Sequence, residues 1–335
     1  MNKSFSIIHL SDVHFDKSKE TISSVLVNNI VSDIQNLEKT ENLNCKFLVL
    51  TGDLINFGGQ AELFESAYQK IIQPILNELK IDKNNFIYIP GNHELDRDEV
   101  DKDFQYGFIN RISREGVEHE NFNNSYLTNR SKNFFNFIKT KTVWENHEVI
   151  KNIINNNLGV SIGFSLFNTA WCSSTFSEED VKKIQMPIML AKENLQELEN
   201  CDIKIALMHH PLDWFEDENA NQFQHILSQY NIVLCGHKHN EDNKLEQKGP
   251  LKTVFNYAHK LLPLKDRESG YSIINISNNE NKIKVYYREY NDKISKFTVG
   301  ITNSEQEINR QNYTEYELGQ ENSDLQNSYK IAASI

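Results

Sequence analysis

No stretch of about 18 apolar residues runs through this chain, which excludes an ordinary membrane-spanning helix. Nor is a signal peptide expected: Met1, Asn2, Lys3 and Ser4 pass straight into a short apolar run from Phe5 to Leu10, without the long apolar stretch and small-residue cleavage site of such a segment. A cytoplasmic protein is the expectation. Cysteine is scarce, and Cys45, Cys172, Cys201 and Cys235 form no C-x-x-C pair. Neither a disulfide framework nor a zinc-thiolate knuckle is suggested, and the four read as small buried hydrophobes. Positive charge is short as well: 35 Lys and Arg face 47 Asp and Glu, a net of −12. Any contact with nucleic acid therefore needs a local basic patch.

What is present is ordinary for a globular protein. Of 335 residues, 39% are hydrophobic and 24% charged, which suits one large domain with an appendage. Apolar strand-like runs at Phe5 to Leu10, Phe47 to Leu50 and Phe86 to Ile89 alternate with helical patterns at 22–37 and 60–79. Further runs follow at Val160 to Ile162 and Ser165 to Asn168, then at Ile203 to Leu207 and Ile232 to Leu234, with helices expected near 188–198 and 221–230. From Thr253 onward the pattern is of strands. This alternation predicts an α/β architecture with sheets covered on both faces. Residues 97–157 break the pattern and are read as a mostly helical insertion or cap on a domain spanning 1–300. Residues 301–335, rich in Asn, Gln, Ser and Glu, are read as a polar acidic tail or linker.

The polar residues fall in a pattern. Strand-like runs end in Asp12-x-His14, in Gly52-Asp53, in Gly91-Asn92-His93-Glu94, in His209-His210-Pro211 and in Gly236-His237-x-His239. Open α/β sheets place ligands beyond the carboxyl ends of their strands, so five loops are expected to converge on one edge. Asp12 and His14 are two apart, as are His237 and His239, and extended backbone would put each pair on one face. His9, of opposite parity, should point away. The ligand types are oxygen and imidazole, a set suited to Mn, Fe, Zn or Ni. Four ligands complete a structural zinc, whereas seven candidates (Asp12, His14, Asp53, Asn92, His209, His237 and His239) fit two metals that share Asp53. Such a pair can hold a hydroxide and clamp a phosphoryl group for in-line attack.

These five motifs, in this order, resemble those of the calcineurin-like metallophosphoesterases. The resemblance covers roughly residues 5–300 apart from the insertion. It implies a four-layer α/β/β/α sandwich with a dimetal site at the sheet edges. It also implies roles: Asp12, His14 and His239 on one metal, Asn92, His209 and His237 on the other, Asp53 between them, and His93 as general acid beside the phosphate. Asn92 and His210 are the substrate-binding candidates, with His210 balanced between touching substrate and bracing a ligand. In the phosphoprotein phosphatase branch, the second motif continues to an Asp and a phosphate-gripping Arg. Here those positions hold Asn56 and Phe57, so the bidentate clamp is lost and a phosphoprotein substrate is disfavoured.

The stretch from Gly52 to Gly58 is closer in style to class III cyclic-nucleotide phosphodiesterases. The expectation is a phosphodiesterase of cyclic or small nucleotides, with a nuclease of the break-repair type as the alternative. A nucleotide-binding sensor without turnover is the second alternative. Two further readings stay open. Glu94, Asp96 and Arg97 are expected in a solvated loop, and the basic and aromatic run from Arg130 to Lys141 is either a core face or a base-stacking surface.

Overall fold

Apolar runs bounded by turns and amphipathic segments assemble here into two sheets backed by helices. The structure, a computed structural model, describes residues 4–122, 125–142, 144, 147–174, 180–238, 242–248, 251–262, 264, 268–300 and 311–318. In chain order the strands are β1 (Ser4–Leu10), β2 (Cys45–Leu50), β3 (Phe86–Tyr88), β4 (Ile150–Asn155), β5 (Ile162–Phe167), β6 (Ile203–Met208) and β7 (Ile232–Cys235). They continue with β8 (Asp242–Lys248), β9 (Leu251–Tyr257), β10 (Gly270–Ser277), β11 (Lys282–Asn291), β12 (Lys296–Val299) and β13 (Thr314–Glu317). One sheet has the order β12-β11-β10-β1-β2-β3, with β13 also pairing β11, and the other has the order β4-β5-β6-β7-β9-β8. β1, β2 and β3 run parallel, as do β5, β6, β7 and β9.

Strand periodicity builds the layers. Successive residues of a strand face opposite sides. Ile203, Ile205, Leu207, Ile232 and Leu234 accordingly join the core shared with the first sheet. Ala206, Met208, Val233 and Cys235 join a second core instead. Helix α1 (Glu20–Thr40), with α2 (Ala61–Ala67) and α3 (Gln73–Glu78), covers the first sheet. Two more helices of the insertion, α4 (Lys102–Glu115) and α5 (Ser125–Ile138), precede α6 (Ile188–Glu197) and α7 (Asp217–Leu227), which back the second sheet. The result is the expected sandwich of helices, sheet, sheet and helices. The helix expected over 60–79 is divided by a π-helical stretch at Tyr68–Ile72, just before Pro74, whose missing N–H cannot continue the α-helical ladder.

Two boundaries differ from the sequence reading. Helical elements occupy Arg97–Glu99, Lys102–Glu115, Val117–His119 and Ser125–Ile138, but β4 lies inside the segment read as an insertion and forms an edge of the second sheet. It escaped notice because its half-buried residues include three polar ones, Lys151, Asn152 and Asn155. Within the segment read as a tail, Thr314–Glu317 pairs with β11. In the run from Arg130 to Lys141, Phe134, Phe137 and Ile138 are buried in the first core, and Arg130 is buried against the carbonyls of Trp171 and Ser173. That run is a core face.

One buried polar network crosses between the sheets near the strand ends. His9 is fully buried, with Nδ1 2.6 Å from Asn256 Oδ1 and Nε2 2.8 Å from Thr51 Oγ1. Because the amide oxygen can only accept, Nδ1 donates and Nε2 accepts the Thr51 hydroxyl proton. Asn256 in turn donates to Ser272 Oγ and Tyr287 Oη. Burial, only partly offset by the Asn256 bond, lowers the His9 pKa to about 4. Its contribution is fully present above the ordinary value of 6.5 and is lost as pH falls toward about 4, at most about 3 kcal/mol. His9→Leu is expected to be less stable at pH 7 and to show a shallower loss between pH 6.5 and 4 in chemical denaturation. Parallel pH profiles for the two proteins would refute this.

Candidate metal centre

The first two loops are laced together by their backbones. Asp12 N–H donates to Gly52 O (3.1 Å), His14 N–H to Asp53 O (2.8 Å) and Phe15 N–H to Leu54 O (2.9 Å). Along this lacing Asp12, His14 and Asp53 adopt left-handed backbone, with φ of 52°, 48° and 54°, and His237 does the same at 71°. Non-glycine residues visit this region rarely and at a cost. This corrects the geometric reason given above for the Asp12 and His14 pair. Their side chains are directed by two left-handed kinks flanking buried Val13, not by an extended strand.

The candidate ligand atoms gather around Asp53. Its Oδ2 lies 3.8 Å from His14 Nε2 and 3.4 Å from His209 Nε2. His14 Nε2 is also 3.8 Å from Asp12 Oδ1, and Asp12 Oδ2 accepts the His237 backbone N–H at 3.0 Å. His209 Nε2 lies 3.2 Å from Asn92 Oδ1 and 3.1 Å from His237 Nδ1. Three groups hold ligand atoms within 4.8 Å of one another: Asp12, Asp53 and His209; His14, Asp53 and His93; and His209, His210 and His237. A side chain at Gly91 would destroy this arrangement, since a Cβ there would lie 2.2 Å from Asp53 Oδ1 and 2.7 Å from His209 Cε1.

Outer contacts fix the rings. His209 Nδ1 sits 2.7 Å from the Thr51 carbonyl, which can only accept, so Nε2 is left facing the cluster. His93 Nδ1 lies 3.0 Å from the Asn56 carbonyl, and its backbone N–H donates to Asp53 Oδ1 at 3.0 Å. Asp12, Asp53, Asn92, His209 and His210 are buried, whereas His14, His93 and His237 are partly exposed and form the open face.

The electrostatics favour positive charge. Burial alone would raise the Asp53 pKa, but His209, His93 and His14 hold it well below the ordinary carboxylate range. Burial would lower that of His209, yet Asp53 and then Asp12 raise it to about 9. His210 behaves oppositely, kept neutral by burial and by the neighbouring His237 and His209. A site that draws a proton onto a fully buried imidazole meets the electrostatic requirement of a cation site, and its nitrogen and oxygen donors suit borderline divalent metals.

Of the sequence-derived residues, Asp12, His14, Asp53, Asn92, His93, His209, His210 and His237 come together here; His239 lies outside the described residues. His210 is fully buried, its backbone N–H donating to Thr169 Oγ1 and its Nδ1 2.9 Å from the same oxygen, while Nε2 is buried with no partner among the described residues. Glu94 corrects the solvated-loop reading. It is fully buried and accepts the backbone N–H groups of Asp53 and Gly91, each at 2.7 Å, and of Ile55 at 3.3 Å. Sequence reasoning also passed over Trp214, whose ring packs edge-on against His237 with centroids 4.1 Å apart.

A family model described as calcineurin-like phosphoesterase matches residues 5–241. No curated protein matches the sequence. Among solved structures, the purple acid phosphatase PPD1 from yellow lupin (Lupinus luteus) seeds is similar in fold at 11% identity and a TM-score of 0.52, covering 89% of this chain and 53% of that one. GAP50, described as the anchor in the inner membrane complex of Plasmodium, is 12% identical with a TM-score of 0.46, over 90% of each chain. Vps29 complexed with zinc, from Entamoeba histolytica, is 12% identical with a TM-score of 0.32, over 86% of this chain and 94% of that one. Among the described residues no helix is long and apolar enough to cross a membrane.

Proposed function

The chain belongs to the calcineurin-like phosphoesterase family, whose members are dimetal-dependent, and from that premise we propose that it hydrolyses phosphodiesters of cyclic or small nucleotides. The observation that carries this reading is the position of the Asp53 carboxylate, within 4 Å of imidazoles from two different loops, His14 and His209. Asp12, His14 and His239 would hold one divalent ion, Asn92, His209 and His237 a second, and Asp53 both. Bound there, the ions supply Lewis acidity and an activated water for attack on phosphorus.

The chain's own residues prepare the rest. Thr51 directs His209 Nε2 toward the cluster. The Asn56 carbonyl, although Asn56 stands where the phosphatase branch has an acid, accepts from His93 Nδ1 and leaves Nε2 to give a proton to the leaving oxygen. His210, fully buried behind His209 and His237, suits a brace better than a substrate contact. Phe57, in place of the phosphatase arginine, supports a diester over a phosphoprotein.

The test is turnover of a bis-aryl phosphodiester, an aryl phosphomonoester, cyclic nucleotides and single-stranded DNA by protein loaded in turn with Mn, Fe, Zn or Ni. Diester turnover above monoester turnover is expected. A monoester preference would sink the diester assignment, and cleavage of DNA without turnover of cyclic nucleotides would establish the nuclease reading in its place.

A further inference from the structure

Arg97 stands four residues beyond His93, where the helical insertion leaves the third loop. Its guanidinium turns back onto the open face of the site, with Nη2 3.0 Å from His93 Nδ1 and 3.3 Å from Nε2. The loop that carries it is fixed. Asp96 caps the 3-10 turn Arg97–Glu99 by accepting the Asp98 N–H at 3.0 Å, and its own N–H donates to the Arg130 carbonyl at 2.7 Å.

The environment of this cation is unusual. Arg97 is partly buried in a chain of net charge −12, yet among the described residues no carboxylate lies within ion-pair distance of it. Its Nε is buried and has no hydrogen-bond partner among the described residues. His93 absorbs little of its donor capacity. With Nδ1–H given to the Asn56 carbonyl and Nε2–H kept for the leaving oxygen, neither ring nitrogen is left to accept from a group with five N–H donors. A guanidinium with idle donors beside a proton-donating histidine is arranged for an anion that arrives from outside, and the planar fork matches phosphoryl oxygens.

We propose that Arg97 grips a non-bridging phosphoryl oxygen of the substrate, supplying from the third loop the cation that Phe57 does not supply from the second. This rests on the phosphoesterase reading. Its neighbours set the geometry: His93 and His14 pack edge to face with centroids 4.5 Å apart, so the guanidinium, the proton donor and a metal-ligand candidate border one space. Arg97 thereby ties substrate position to the insertion, whose first turn carries it.

The test uses metal-loaded protein, a bis-aryl phosphodiester as substrate and inorganic phosphate as competing ligand, with Arg97→Ala and Arg97→Lys compared with wild type. Arg97→Ala is expected to keep the wild-type metal content, to lose about 10- to 100-fold in kcat/KM and to weaken phosphate inhibition to a similar degree. Added guanidinium ion, well below denaturing concentration, should restore part of both, while Arg97→Lys, with charge but no fork, falls between. Unchanged phosphate inhibition beside a lowered kcat would overturn the proposal and leave Arg97 as a support for His93. Should Arg97→Ala fail to fold, Arg97→Gln carries the same comparison. If wild type turns over no ester, the proposed function fails separately; calorimetric titration of wild type and Arg97→Gln with phosphate still decides the clamp, equal affinities refuting it.

Discussion

Asp53→Asn is expected to lower metal-dependent phosphoester hydrolysis about a thousandfold, since in the proposed role of Asp53 the loss of shared metal coordination removes several kcal/mol of charge stabilisation. Asparagine preserves the shape and can still accept the His93 backbone N–H that now reaches Oδ1 at 3.0 Å. What it removes is the charge. That charge is held in place although the side chain is buried, because His209, His93 and His14 keep the carboxyl well below its ordinary range. Without it the proton on His209 loses its largest attraction, and both halves of the cluster lose their common member. Steady-state kinetics with elemental analysis of bound metal separates the two consequences: metal content should fall together with turnover. Activity equal to wild type would dispose of a mechanism centred on Asp53.

Glu94→Ala should produce the largest loss of stability of any single change near the site. Three backbone N–H groups, of Gly91, Asp53 and Ile55, donate to one carboxylate that water does not reach. Deleting it strands buried donors at about 1–3 kcal/mol each, partly relieved by water entering the space, so a net loss of about 3–5 kcal/mol is expected. A second term acts the other way. Burial first, and the charge of Asp53 second, push the Glu94 pKa up to about 7, so ionised Glu94 carries a repulsion that alanine abolishes. The larger number of lost donors makes the donor term dominant. Glu94→Gln, which keeps an acceptor but turns an amide toward the same donors, should fall between. Chemical denaturation of metal-free protein reads this without interference from metal binding, and a loss below about 1 kcal/mol would show that the donors find other partners.

The outline of the fold was legible because buried parallel strands are short apolar runs, and their C-terminal turns carry the polar residues. β1, β2, β6 and β7 each lie within two residues of their sequence-derived positions for that reason. β4 was not legible, since an edge strand with Asn152 bonded to α6 and its neighbour shows no apolar run. In the site, residue types announced Asp12, Asp53, His209 and His237, but the conformation that aims them did not, because left-handed backbone at an aspartate leaves no mark in the sequence. Glu94 was misjudged for a related reason. Its partners are main-chain groups 3, 39 and 41 residues distant, invisible to any reading of side-chain pattern. The Gly-Asn-His-Glu spacing was the available signal, since it places a carboxylate three residues beyond a glycine amide.

The left-handed kinks at Asp12, His14, Asp53 and His237 also bear on how this chain responds to selection for robustness. Each position holds a residue that its backbone disfavours by about 1–2 kcal/mol, and glycine would relieve that burden. A screen for thermal tolerance of the metal-free protein should therefore enrich glycine or asparagine at His14 and His237 and return proteins that melt later and turn over nothing, whereas glycine at Asp12 or Asp53 would also strand the His237 and His93 backbone N–H groups that those carboxylates accept. Heat resistance and chemistry pull against each other there residue by residue, so any stabilising effort is better spent on the helical layers, where no ligand depends on the backbone.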